Sequence, residues 1–197
     1  MKRQVEKARK VAMSLAATLA WTVVPGGSPA FADEENAREN AQKRDAWAAH
    51  RLLPGRWEIE IDGRLGQGTG NRHYEFIFND QFLIGRHASI RLPQEQSPEG
   101  DYHRELSIYS FDSERDTIVL RQFIVEGYVL QFTCDTEPMR IVCETESIEN
   151  GTGMAARMTL EFANPYRFSE VFELASPGEE LQVYFKNTFT RMPSLED

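Results

Sequence analysis

The chain has 197 residues, of which 41% are hydrophobic and 27% charged, with 22 Lys+Arg against 31 Asp+Glu and a formal net charge of −9. That acidic balance disfavours nucleic acid and anionic membrane surfaces as partners, because both need a basic footprint. The length allows one domain with a sizeable core once a targeting segment is set aside.

In chain order, Lys2, Arg3, Lys7, Arg9 and Lys10 precede the apolar run VAMSLAATLAWTVV and a small-residue exit, Ala30-Phe31-Ala32. This pattern predicts a cleavable signal peptide over residues 1–32, with cleavage after Ala32 and a periplasmic or secreted product. The apolar run is short and is followed at once by Pro25, Gly26 and Gly27, so no membrane insertion is expected, and no Cys stands at the cleavage site to take a lipid. Removing the segment leaves 165 residues with 17 Lys+Arg against 30 Asp+Glu, a net charge of −13. Cys134 and Cys143 then enter an oxidising compartment, where a disulfide is expected rather than a metal or catalytic role.

Residues 33–51, DEENARENAQKRDAWAAHR, read as a helical lead-in or linker. From Arg56 onward the pattern changes to short alternating runs, predicting strands near 56–62, 72–79, 81–91, 102–111, 117–126, 127–135, 140–148, 154–163, 167–175 and 180–191. Connections such as Asn79-Asp80, Glu126-Gly127 and Asn164-Pro165 are tight, which favours antiparallel neighbours. The longest, LPQEQSPEGD over 92–101, is a candidate lid or partner contact. Ten strands in about 135 residues remove their exposed edges most simply by closing, so the fold class is all-β, a single antiparallel up-and-down barrel over 52–192 with a short tail at 193–197.

Registers follow from asking which pairing leaves one face apolar. A turn over 79–81 would set Phe78 opposite Phe82, Phe76 opposite Ile84 and Tyr74 opposite Arg86. Across 164–166, Phe162 meets Phe168, Leu160 meets Glu170, Met158 meets Phe172 and Ala156 meets Leu174, with Arg157 facing Glu173 outside. Across 176–179, Leu174 would meet Leu181, Phe172 Val183, Glu170 Phe185 and Phe168 Asn187. A turn on Pro138 puts Cys134 directly opposite Cys143.

The run LLPGRWEIEI places Gly55-x-Trp57 at the start of the first strand, and the last strand ends its inward row on Arg191. In a closed meander these strands are neighbours, so Gly55, Trp57 and Arg191 are expected to form a structural clasp, the guanidinium stacked on the indole. The pattern is similar to the Gly-x-Trp and terminal Arg of calycins, the lipocalins and fatty-acid-binding proteins. Over 74–191 the runs HRELSIYSFD, LRQFIVEGYV, ESIENGTG and SEVFELASPGEE resemble a bacterial family with a lipocalin-like, fatty-acid-binding-protein-like barrel. The resemblance implies a calycin-like barrel that carries a ligand inside, and brings no particular ligand and no catalytic residues. Phe189-Thr190-Arg191 departs from the Arg-x-Tyr that holds a fatty-acid carboxylate.

Glu170 is the sharpest chemical signal, since a carboxylate between Leu160 and Phe185 must find a partner or keep its proton. Inward cations on offer are Arg86 and Arg104, with Arg121 if its strand is shifted by one. The bland alternative is a structural ion pair, or a bulge that turns Glu170 outward. Tyr74, Gln122 and Asn187 complete the candidate ligand-binding set. The run TIVLRQFIVEG is apolar on both faces, leaving open whether Arg121 or Gln122 points in. His73 and His87, opposite one another in the first register, fall on the outer face without a third ligand, so no metal is expected. No cofactor motif is present: there is no Gly-rich phosphate loop, no G-x-S-x-G, and no His after residue 103 to serve as a late-strand haem ligand. The expected function is an exported carrier of a small, largely apolar ligand, walled by Phe162, Phe168, Phe172, Phe185 and Met158. One alternative is a protein-interaction or inhibitor module with a packed core. A second is an isomerase or hydrolase using an inward Glu and Arg, which no nucleophile, metal or paired-carboxylate signature supports.

Overall fold

The computed structural model describes residues 45–193. The expected signal peptide and its cleavage point, residues 33–44 of the lead-in and residues 194–197 of the tail lie outside them. Of the lead-in, residues 45–49 form a turn that runs into a 3-10 helix, His50–Leu52. Ten strands follow: β1 Gly55–Gly63, β2 Gly66–Ile77, β3 Phe82–Arg91, β4 Asp101–Asp112, β5 Thr117–Ile124, β6 Val129–Glu137, β7 Arg140–Glu149, β8 Ala155–Asn164, β9 Arg167–Ala175 and β10 Gln182–Arg191. Alternation makes them strands: β1 buries Trp57, Ile59 and Ile61 while Arg56, Glu58 and Glu60 face solvent. Each strand pairs antiparallel with its sequence neighbour, and β1 pairs with β10 to close an up-and-down barrel.

The end holding the 3-10 helix is packed solid. Trp57 is fully buried and its indole N–H donates to the Leu53 carbonyl at 2.7 Å. Arg191 lies directly opposite in the β1–β10 register, its guanidinium carbon 4.2 Å from the indole centre. The same guanidinium donates to the carbonyls of Leu52 at 2.6 Å, Pro54 at 2.5 Å and Pro165 at 2.9 Å, tying both chain segments to one cation. Gly55 has φ +123°, and a Cβ there would stand 2.5 Å from the Arg191 Nη1, so only glycine fits under the clasp. Phe168 meets Trp57 edge-on at 4.7 Å and stacks on Phe189 at 4.2 Å. Cys134 and Cys143 are cross-strand partners joined by a disulfide across the β6–β7 hairpin. So short a loop stabilises by only about 2–3 kcal/mol.

Two expected registers are corrected. Between β2 and β3 the loop spans residues 78–81, with positive φ at Phe78, Asn79 and Asp80, and Ile77 pairs with Phe82. One more loop residue than expected slips the whole pairing: His73 faces Arg86, Tyr74 faces Gly85 and Arg72 faces His87. A Cβ at Gly85 would lie 2.7 Å from the Tyr74 ring, so the glycine makes room for that ring. Between β9 and β10, Glu170 pairs with Asn187, Phe168 with Phe189 and Phe172 with Phe185, a shift of two residues. A bulge between Val183 and Phe185 reverses parity above it, so Gln182 rather than Leu181 pairs with Leu174, and Val183 sits outside opposite Glu173. β2 also starts earlier than expected, with its glycine-rich Gly66–Gly70 stretch paired to β1. The β8–β9 pairs are those expected.

Candidate functional site

The other end of the barrel, ringed by the β1–β2, β3–β4, β5–β6, β7–β8 and β9–β10 connections, is hollow. It holds a cavity of ≈ 360 Å³ reaching from Glu170 and Asn187 at its floor to Leu65, Asp101, Glu126, Tyr128 and Tyr184 near the rim. Its wall is divided by strand. β2 to β5 contribute Arg72, His87, Ser89, Arg91, Glu105 and Gln122; β6 to β10 contribute Leu130, Ile148, Met158, Phe172, Leu174 and Phe185, with Glu170 and Asn187 as their polar exceptions. β7 and β8 stop pairing at Glu144–Arg157, and above that point Ile148 and Met154 line the apolar side.

Arg72 organises the polar half. Its Nη1 donates to Glu170 Oε2 at 2.7 Å and to the Tyr74 hydroxyl at 3.0 Å, its Nε to His87 Nδ1 at 3.3 Å, and its Nη2 lies 3.6 Å from Glu105 Oε2. Burial opposes the Arg72 charge, but Glu170, Tyr74 and Glu105 together outweigh it and hold the guanidinium further above its ordinary value. Asn187 Nδ2 donates to Glu170 Oε1 at 3.0 Å. Gln122 Nε2 donates to Glu105 Oε1 at 2.9 Å, and the Ser107 hydroxyl donates to the same oxygen.

Because an arginine can only donate, His87 Nδ1 is an acceptor and its Nε2 carries the proton toward the Ser89 hydroxyl, 3.0 Å away. Burial, with Arg72, His103 and Arg91 nearby, pushes the His87 pKa down to about 2, so the ring is neutral. Tyr74 is raised to about 12, chiefly by burial against the opposing pull of Arg72. Two lining residues keep a buried atom without a partner: the Asn187 Oδ1 acceptor and the Arg91 Nε donor.

Among the residues expected to bind ligand, Gln122, Glu170 and Asn187 line the cavity and are buried, and Tyr74 is buried behind Arg72. Arg86, Arg104 and Arg121 do not join them. Arg86 is on the outer face bonded to Glu75, Arg104 is exposed, and Arg121 reaches outward to Gln131 and Ser110. The slip at 78–81 removes Arg86, and β4 and β5 turn Ser107, Tyr109, Leu120 and Gln122 inward, which leaves Arg104 and Arg121 outside. His73 and His87 are not an outer pair, since His73 is exposed and His87 faces in. Sequence reasoning missed Arg72, His87, Glu105 and Ser107. For Arg72 a signal existed, because it shares the parity of Tyr74 and Phe76; for the β3 and β4 residues the apolar face pointed the wrong way.

No family model and no curated protein matches the chain. Among solved structures, Rv2717c from M. tuberculosis is similar at 15% identity and a TM-score of 0.56, covering 76% of this chain and 98% of that one. A redesigned β-barrel, mFAP0, bound to DFHBI, aligns at 11% identity and a TM-score of 0.40, over 71% of this chain and 99% of its own. At such identity the first likeness concerns the barrel fold.

Proposed function

We propose that the chain is an exported, calycin-like carrier that holds a small, largely apolar molecule in the open half of its barrel. The observation that carries this is the cavity itself. Residues from β6 to β10 give it a mostly apolar side above Glu170 and Asn187, β2 to β5 give it convergent polar groups, and ≈ 360 Å³ falls within the size of ordinary small-molecule sites. Export is the reading of the basic, apolar and Ala-Phe-Ala sequence of residues 1–32, and the Cys134–Cys143 disulfide accords with an oxidising destination. The neutral dye N-phenylnaphthylamine tests carriage. Its fluorescence should rise and saturate near one equivalent, and Leu174→Trp, which fills the apolar side, should abolish the rise in a folded protein. A folded wild-type chain that leaves the dye dark would defeat the reading.

A second reading, a protein-interaction module, draws on the outer face of β3 to β5. There Ile90 pairs with Tyr102 and Leu106 with Phe123, and Tyr102, Ile90 and Phe123 are 59%, 47% and 42% exposed. Exposed apolar side chains grouped on one face, here interrupted by Arg86 and Arg104, suit a protein contact. Sedimentation should show a mass that rises with concentration and collapses to the monomer on Phe123→Glu.

A further inference from the structure

We propose that the polar end of the carried molecule is a primary ammonium, so that the cavity takes amphiphilic amines and rejects fatty acids; this rests on the carrier reading above. The charge inventory of the wall is one-sided. Asp101, Glu105, Glu126 and Glu170 face the cavity against two guanidiniums, Arg72 and Arg91. Arg72 is held by Glu170, Tyr74, His87 and Glu105, and the charge of Arg91 is already paired, its Nη1 donating to Asp101 at 2.6 Å. His87 already has both ring nitrogens engaged. His103 Nδ1 sits 3.0 Å from Glu126 Oε1, and even a proton on that ring leaves the carboxylates in excess. A bound anion would have to use the donors that Arg91 leaves over, its Nε among them, inside a field of carboxylates.

The orphaned acceptor points the same way independently. Asn187 is 4% exposed, lines the cavity floor and spends its amide N–H on Glu170, while its Oδ1 has no partner. A buried carbonyl oxygen left unbonded costs stability that a donor from the ligand would recover. An ammonium N–H supplies that donor and the positive charge together; a quaternary ammonium supplies only the charge. The hydrocarbon portion then lies along Met158, Leu174 and the stacked Phe172 and Phe185, whose ring centres are 5.0 Å apart.

The test compares decylammonium, decanol and decanoate, matched in chain and kept below their micelle concentrations, by calorimetry at neutral pH on the exported form. Decylammonium should bind at least about tenfold more tightly than decanoate, the weight of one charge-assisted hydrogen bond, with decanol between them and decyltrimethylammonium weaker than the primary amine. Glu105→Gln should narrow the gap between amine and alcohol; should that variant not fold, Asn187→Leu, which removes the acceptor without stranding a charge, should do the same. Decanoate binding as tightly as decylammonium would overturn the assignment and leave carriage standing. If none of the three binds to folded protein, carriage fails, and the assignment with it.

Discussion

The two halves of the barrel wall are inside-out relative to each other. In β8 to β10 the inward row is apolar but for Glu170 and Asn187, carrying Met158, Leu160, Phe162, Phe168, Phe172, Phe185 and Phe189, while outside Arg157 bridges Glu144 and Glu173. In β2 to β5 the inward row carries Arg72, His87, Ser107 and Gln122, while Ile90, Leu106 and Phe123 face outward. Both halves obey the same backbone demand, since every strand needs a neighbour for its ladder. Both also feed the packed end, Leu83, Tyr109 and Leu120 from one side and Phe162, Phe168 and Phe189 from the other; they differ at the open end, where one side gives a mostly apolar cavity wall and the other a charged and hydrogen-bonded one. Hydrophobic alternation therefore marks the inside only where the inside is apolar.

The strongest way to break that difference is to remove Arg72. Arg72→Leu strands Glu170 and Glu105 without their shared cation, and losing one side of a buried pair should destabilise by about 3–5 kcal/mol. Arg72→Leu with Glu170→Leu should be more stable than Arg72→Leu alone, because the second change removes a stranded charge. Urea denaturation of the three proteins decides it, and a double variant weaker than the single would show that Glu170 does not depend on Arg72. The clasp should fail differently. Trp57→Ala empties a fully buried site and should cost about 3–5 kcal/mol, Arg191→Ala should cost less, and together they should lose less than the sum because they share one contact. No second substitution of either partner should restore what the ring supplied.

The same asymmetry explains what was legible in the sequence. From 154 to 175 apolar parity and true burial coincide, and the β8–β9 pairs, the Cys134–Cys143 hairpin and the Trp57–Arg191 neighbourhood all follow from sequence spacing. Glu170 and Asn187 stood out there as polar exceptions in an apolar row. From 66 to 91 no such contrast exists, because β2 opens on glycines and β3 puts Ile84 and Ile90 on the outer face. Apolar patterning favours the register that turns Phe76 and Ile84 inward together, whereas the strands pair Phe76 with Leu83 and Glu75 with Ile84. A four-residue loop with three left-handed residues, two of them Asn79 and Asp80, overrode the apolar pattern. Which cation meets Glu170 depended on that single slip.

Acid should find the weaker points next. His87 in the polar half is held near pKa 2 by burial and by Arg72, His103 and Arg91, and His50 under the closed end is pushed down to about 4 by burial. A base whose folded pKa is depressed stabilises the fold fully above its unfolded value of 6.5 and loses that contribution as pH falls toward the folded value. Each ring should therefore remove about 1.4 kcal/mol per pH unit below that point, well before most carboxylates titrate. Stability measured in urea between neutral pH and about pH 5 should fall steeply in wild type, less steeply in His50→Phe or His87→Gln, and least in the double variant. A slope untouched by both substitutions would place the acid sensitivity elsewhere.

The smallest effect belongs to the cation that sequence spacing favoured. Arg86 stands on the outside of the polar half, bonded to Glu75, with side-chain exposures of 56% and 40%. An exposed pair of that kind is screened by water and salt and contributes little. Arg86→Ala should leave the denaturation curve within its scatter and, since the backbone of β3 separates it from the cavity, should leave dye and amine binding unchanged. Arg72→Lys is the matched inward change. It keeps the charge but cannot reach Glu170, Tyr74 and His87 from one planar group, so it should weaken both the fold and ligand uptake. If Arg86→Ala instead altered binding while Arg72→Lys did not, β3 would have to present its even-numbered residues inward, and the polar half of the barrel would be turned the other way.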